Sequence, residues 1–283
     1  MAPDKYSAVW VSHSSIGDFL KCPRAYFLHN VYKNPDTGHK VGIVSPALSL
    51  GQAVHGTLEA LKQVPVQDRL RRDLFADFEK EWESVSGKKG GFMSAEEETE
   101  AKTRGRAMIG RVIQNPGPIA KKTVRLKEAS NHMPSNFYLS EEDNIILCGL
   151  IDWLEYVPAD DSIRVIDFKT GKYEEGEDSL QLPIYLLLLD ALQGRRVSGA
   201  AYWYLEKDDA PREQPLPDIA EARKGVLAVA RRVKDAREKS AYECPRGSAG
   251  CFSCRPYEAI VRGDAEFVGV SENGRQDLFI VNS

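Results

Sequence analysis

The stretch Ile163-Arg-Val-Ile-Asp-Phe-Lys-Thr-Gly-Lys172 constrains this chain more than any other. Ile163, Val165, Ile166 and Phe168 are strand formers, and Thr170-Gly171 ends the run, so it reads as a buried strand closed by a turn. Side chains alternate between the two faces of a strand, which puts Asp167 and Lys169 on one face, roughly 7 Å apart along the chain. A carboxylate and an ammonium at a strand's end suit metal-assisted phosphodiester chemistry. The acid holds a hard divalent cation, and the lysine orients water or neutralises charge on phosphate. Taken alone, the same pair reads equally well as a surface Asp–Lys couple on a hairpin.

The segment Asn144-Ile-Ile-Leu-Cys-Gly-Leu-Ile-Asp-Trp-Leu-Glu-Tyr-Val157 reads as a second apolar strand broken by one acid, Asp152. Aspartate is a poor strand former and costly to bury alone, so a ligand role accounts for it. The turn Val157-Pro-Ala-Asp-Asp-Ser162 joins the two strands into an antiparallel hairpin that brings Asp152 near Asp167. Downstream, Gln181 and Tyr185 stand at i and i+4 of a helix, hence on one face. Upstream, Leu48-Ser-Leu-Gly-Gln-Ala-Val-His55 starts a helix carrying one histidine.

Four of these patterns occur in a set order: G-x-x-x-H (Gly51 to His55), G-x-x-D (Gly149 to Asp152), D-F-K-T-G (Asp167 to Gly171) and Q-x-x-x-Y (Gln181 to Tyr185). They resemble the RecB-like branch of the PD-(D/E)XK nuclease superfamily. The opening Ser12-His-Ser-Ser-Ile-Gly-Asp-Phe-Leu-Lys-Cys-Pro-Arg-Ala-Tyr26 is similar to that branch's amino-terminal S-x-x-x-x-F-x-x-C-P-x-x-Y pattern. G-x-x-D alone occurs often by chance, whereas five motifs in one order are specific. The resemblance implies an α/β fold with a restriction-endonuclease-like core, a central mixed β-sheet flanked by helices. It implies that His55, Asp152 and Asp167 bind Mg²⁺ or Mn²⁺, with the Phe168 carbonyl as a further ligand. Lys169 would then position the attacking water, and Gln181 and Tyr185 would support substrate and site. A lone histidine amid Val54, Leu58 and Leu61 is otherwise a satisfied core residue, and Tyr185 a buried tyrosine with a satisfied hydroxyl.

With 283 residues, 42% of them hydrophobic, the chain can bury a real core. One nuclease domain over residues 1–283 is expected, with a helical insertion at 66–113. Within that insertion, helices are expected at about 66–85 and 95–113, joined by a flexible basic loop, Ser86-Gly-Lys-Lys-Gly-Gly91. Residues 121–129 alternate as a strand whose expected hairpin partner is 137–139. Glu128, on that strand, is a candidate helper at the metal site. Further helices are expected at 180–192 and 218–239, a strand at 197–205, and a strand pair in the tail, 265–281. No run approaches the roughly 20 apolar residues of a membrane span, and the start is no signal peptide, so a soluble cytoplasmic protein is expected. A net charge of −4 argues against an indiscriminately basic nucleic-acid binder, though not against one basic groove.

Five cysteines without a secretory signal point to thiols or a metal site rather than disulfides. Cys244, Cys251 and Cys254 lie in a Pro/Gly-rich loop, 244–256, spaced C-x6-C-x2-C, and Cys22 stands far away in sequence. Four thiolates match zinc or an iron–sulfur cluster. AddB-type and CRISPR-adaptation nucleases of the RecB-like branch carry a [4Fe–4S] cluster on one early and three late cysteines, which this chain resembles. The order of the late spacings is reversed here, which keeps zinc as the alternative. Cys148 reads as a small buried hydrophobe.

The resemblance therefore implies a metal-dependent deoxyribonuclease acting on single strands or duplex ends. An exonuclease of DNA repair or recombination is the first expectation, with helicase or CRISPR and repair proteins as partners. The alternatives are a CRISPR-adaptation-type nuclease and a catalytically silent DNA-binding or scaffolding module of the same fold.

Overall fold

The computed structural model describes residues 4–126 and 134–281, and most of its strands are short apolar runs. The strands are β1 (Val9–Val11), β2 (Lys40–Ile43), β3 (Ser135–Ser140), β4 (Ile145–Gly149), β5 (Trp153–Val157), β6 (Ser162–Lys169), β7 (Val197–Tyr204), β8 (Arg212–Gln214), β9 (Glu266–Val270) and β10 (Gln276–Ile280). The α-helices are α1 (His13–Lys21), α2 (Pro23–Tyr26), α3 (Pro46–Ala60), α4 (Val66–Arg69), α5 (Leu74–Glu83), α6 (Ala95–Gln114), α7 (Gln181–Leu192), α8 (Ile219–Lys239) and α9 (Arg255–Arg262). The strands form three sheets, ordered β1-β4-β3, β2-β10-β9 and β5-β6-β7-β8. The fold class is mixed α/β, as expected. Among the described residues no helix is long and apolar enough to cross a membrane.

The chain divides into two compact units. One comprises Pro46–Phe137 and Gly149–Ala222. Its four-stranded sheet is mixed: β5 runs antiparallel to β6, β6 parallel to β7, and β7 antiparallel to β8. In α3 the buried residues Leu50, Ala53, Val54, Thr57 and Leu58 recur at helical spacing. They share one core with Phe78 and Trp82 of α5, Met108 and Ile109 of α6, and Trp153, Ile166, Phe168 and Trp203 of the sheet. Asp73 separates α4 from α5, where one continuous helix was expected. Its carboxylate accepts from the amides of Phe75 and Ala76 (both 3.1 Å) and so caps a fresh helix. Residues 86–91 are not a loose loop either. They form a 3₁₀ turn, Gly87–Gly90, held by Ser49 Oγ donating to the Gly90 carbonyl (2.7 Å) and by Gly87 N–H donating to Glu98 (3.1 Å). A Cβ at Gly90 would lie 1.7 Å from the Val85 carbonyl oxygen, so only glycine fits.

Residues 122–124 pair with β5, not with 137–139: Val124 N–H donates to the Leu154 carbonyl and Tyr156 N–H to that of Lys122. The Arg69 guanidinium fixes this segment. It is 2% exposed, lies 4.9 Å over the Trp153 ring, and donates to Ile119 O, Lys121 O and Thr123 Oγ1. Residue 137 belongs instead to β3, which lies beside β4. Glu128 falls outside the described residues.

The other unit comprises Met1–Ser45, Tyr138–Cys148 and Arg223–Ser283. Ser12 caps α1 through a reciprocal hydrogen-bond pair with Ser15. Extended backbone at Cys22 ends α1, and Pro23 starts α2 in the position where its missing amide hydrogen costs least. The tail strands β9 and β10 pair antiparallel as expected, and β10 also pairs parallel with β2.

Candidate metal centres

The expected strand at 144–157 does not run through. It breaks after Gly149 and resumes at Trp153, so Asp152 sits just ahead of β5, and β4 and β5 belong to different sheets. Glycine and aspartate are both poor strand formers, and here they frame the break. A Cβ on Gly149 would meet Leu188 at 2.9 Å, so the first position of G-x-x-D is kept small by α7. The 158–161 turn closes the hairpin as expected, with Trp153 opposite Ile166 and Val157 opposite Ser162. One step beyond that register, Asp152 Oδ2 accepts the Phe168 amide hydrogen at 2.8 Å.

Helix α3 brings the histidine. Gly51, His55 and Glu59 follow each other at i+4 spacing along one stripe. The glycine has a packing reason, because a Cβ there would stand 3.2 Å from Thr170 Oγ1 at the end of β6. His55 Nδ1 lies 3.4 Å from Asp152 Oδ2 and 4.0 Å from Glu59 Oε1. Donor atoms of His55, Glu59 and Asp152 all fall within 4.8 Å of one another. Glu59 escaped the sequence reading, though its spacing from His55 was the available signal.

Asp167 is 3% exposed and held on every side. Its Oδ1 accepts from Tyr185 Oη (2.8 Å) and Gln181 Nε2 (2.8 Å), while Lys169 Nζ lies 2.9 Å from Oδ2. Gln181 Oε1 in turn accepts from Lys169. A second unforeseen acid, Glu175, stands 3.0 Å from the same ammonium, which also lies 4.8 Å over the Tyr202 ring. Glu175 comes from the loop after β6 and belongs to no motif. Thus Asp167, Lys169, Gln181 and Tyr185 form one network, and His55, Asp152 and Glu59 a neighbouring donor set. Phe168 contributes its amide hydrogen to Asp152 and its ring to the core.

Burial first, and the negative charge of Asp152 second, push the Asp167 carboxyl up to about 6, against the pull of Lys169 and Tyr185. For Lys169, burial works against the charged form, but Asp167 and Glu175 outweigh it and raise its pKa. Lys169 is therefore an ammonium, suited to orienting and neutralising rather than to taking a proton. Burial also opposes charge on His55, and Asp152 with Asp167 and Glu59 reverse that and raise it. A buried carboxyl raised by burial and by a neighbouring acid, as Asp167 is, sits in surroundings that a divalent cation relieves. A donor set of carboxylate oxygens and one imidazole fits a divalent metal ion.

The sequence matches the PD-(D/E)XK nuclease superfamily over residues 10–260. The chain belongs to that superfamily. No curated protein matches it. Membership supports a metal-dependent nuclease in general terms.

In the other unit of this PD-(D/E)XK protein, Cys22, Cys244, Cys251 and Cys254 converge, with their sulfurs all within 4.8 Å of one another. Three are buried and Cys251 is half-buried. Cys22 comes from the break between α1 and α2, and the other three from the nearly helix-free segment 244–254. Burial raises the Cys22 thiol and pushes Cys254 up to about 12. At Cys251 burial is opposed by the amides of Cys254 and Ser253, which hold the thiol down to about 6. Four thiols in such proximity fit a metal that takes up thiolate charge. Cys148 is apart from them; its Sγ donates to the Val11 carbonyl at 3.4 Å.

Proposed function

We propose that the chain is a RecB-like deoxyribonuclease, with exonucleolytic cleavage at DNA ends as its reaction. The observation that carries this reading is the meeting of His55, Glu59 and Asp152 beside the Asp167–Lys169 network. A divalent cation in that donor set supplies a Lewis acid for the scissile phosphate and a bound water of lowered pKa. In the proposed mechanism His55, Asp152 and Asp167 hold the cation with Glu59, and the Phe168 carbonyl remains a candidate ligand. Lys169 holds its ammonium toward the substrate phosphate and neutralises charge developing there. Gln181 and Tyr185 fix the rotamer of Asp167, and Glu175 keeps Lys169 extended. Every group is positioned by a helix or strand except Asp152 and Glu175, so little needs reorganising when substrate arrives.

End-labelled single-stranded, blunt and tailed DNA, incubated with Mg²⁺ or Mn²⁺, tests the reading. Stepwise shortening that requires the metal supports an exonuclease. Internal cuts would replace it with an endonuclease, and binding without products under either metal would favour the silent DNA-binding module.

For the cysteines, the resemblance to AddB-type and CRISPR-adaptation nucleases favours a [4Fe–4S] cluster. The observed closeness of the sulfurs favours a single ion, because tetrahedral zinc at about 2.3 Å sets its thiolates under about 4 Å apart and a four-iron cube holds them wider. Anaerobic purification decides between them: brown protein with iron and sulfide supports the cluster, and colourless protein with one zinc per chain supports the ion.

A further inference from the structure

Between the end of the helical segment that follows α2, the start of β2 and the β9–β10 turn lies a cavity of about 570 Å³ that no motif claims. Its lining includes His29, Lys33, His39, Lys40 and Arg275. Among the described residues no carboxylate lines it. The two acids nearest the imidazoles are engaged behind them. Asp18 Oδ2 lies 2.8 Å from His29 Nδ1, and Asp277 Oδ1 lies 2.8 Å from His39 Nδ1. Asp277 is 1% exposed and also accepts from Thr37 Oγ1 (2.6 Å) and Asn34 Nδ2 (2.9 Å), so the second imidazole is mounted on a built support. With Nδ1 committed on both rings, Nε2 is the nitrogen left to a ligand.

The cations are crowded. Partial desolvation first, then the charges of Arg237 and Lys33, lower the Lys40 pKa. Among the described residues no acid pairs with Lys33, Lys40 or Arg275. Like charges gathered in a concave site without a counter-charge are destabilising unless an anion relieves them. Two ammonium groups and a guanidinium supply donors that match the several oxygens of a phosphate, and each imidazole adds a donor at Nε2 only in its protonated form.

We propose that this pocket grips phosphate groups of a nucleic-acid strand, a sequence-independent contact separate from the nuclease centre. The nuclease reading supplies the strand as the source of phosphate; the pocket's anion chemistry stands without it.

Two measurements on the full-length protein, without added divalent metal, test this. Inorganic pyrophosphate is titrated while the imidazole NMR signals of His29 and His39 are followed; both should move, and stationary signals would overturn the site. Separately, binding of a 20-nucleotide single strand is measured against salt for wild type and for the Lys33→Gln/Lys40→Gln/Arg275→Gln variant. Three lost contacts should lower the slope of log K against log salt by about 2 and weaken binding roughly 100-fold at 0.1 M salt. An unchanged slope overturns the strand as occupant, even where pyrophosphate binds. If the triple variant melts well below wild type, Lys33→Gln alone replaces it, with an expected slope change of about 0.7. A protein that cleaves no DNA but shows these slope changes loses its nuclease reading and keeps the pocket.

Discussion

The carboxylate site and the cysteine site are both candidate metal centres, yet they are held together in opposite ways. Around Asp167 each polar atom has a protein partner: Tyr185, Gln181 and Lys169 hold the carboxylate, with one lone pair of Oδ2 left over, and Glu175 and Gln181 hold the ammonium. All of these groups except Glu175, which comes from a loop, stand on β6 and α7, whose own core packing fixes them. Cys22 fills the one-residue break between α1 and α2, the other three ligands lie on one short segment that ends at α9, and two thiols are pushed away from the charged form that a metal needs. A site preassembled by hydrogen bonds should survive the loss of its metal, whereas a site assembled from loops should depend on it. Folding and ligation are separable in the first and linked in the second.

The largest expected effect is on catalysis alone. Asp167→Asn should lower cleavage roughly 10³-fold or more, about 4 kcal/mol of transition-state stabilisation, while the thermal midpoint stays near that of wild type. A gel-based rate assay beside a circular-dichroism melt checks both halves. A large loss of stability would break the contrast, because the network would then be holding up the fold as well.

Cys254→Ser should do the reverse. Its Sγ is fully buried, and removing one thiolate from a four-thiolate centre should lower the midpoint by about 10 °C or more. Adding a strong chelator to wild type should reproduce the fall, while Asp167→Asn should lose no stability beyond wild type under the same treatment. A serine variant that melts like wild type would show that the loop is ordered without metal.

The unequal legibility of the two centres has the same origin. Period-two and helical spacing near 3.6 placed Asp167 and Lys169 on one strand face and Gln181 and Tyr185 on one helix face, and these are local consequences of backbone geometry. The hairpin turn carried Asp152 to within reach of Phe168. The break at 150–152 was not legible, since Leu150 and Ile151 continue an apolar run and only the switch between sheets interrupts it. Pairing of 122–124 with β5 was equally hidden, because it depends on Arg69 bonding to carbonyls some 50 residues away. Cys22 and the late cysteines were grouped from their count and from the family resemblance, and neither says how near the sulfurs approach. Glu175 reaches Lys169 through a loop, where sequence periodicity carries no information.

Glu59 sharpens the comparison within the carboxylate site. Glu59→Gln keeps the shape and the hydrogen-bonding reach but removes one negative donor. If Glu59 is a ligand, the metal concentration for half-maximal cleavage should rise roughly 10- to 100-fold, with the rate recovering at saturating Mn²⁺. An unchanged metal requirement would confine Glu59 to its contacts with Lys62 and His55 on the helix surface.

The smallest effect belongs to Tyr185→Phe, and it probes preassembly most directly. The substitution removes one oxygen, which donates to Asp167 and accepts from Gln181 at 3.2 Å. Gln181 Nε2 still reaches Asp167, so the carboxylate retains a donor on that side. The loss of one hydrogen bond to a charged group is worth about 1.5 kcal/mol, or about tenfold in rate. Because the ring stays buried against the same helix neighbours, the melt should barely move. If Tyr185 acts only by orienting Asp167, the loss should fall on the maximal rate and leave the concentration of DNA for half-saturation alone. An equal loss in both would mean that the hydroxyl meets the substrate itself, and the network would then be a binding surface rather than a scaffold for the acid.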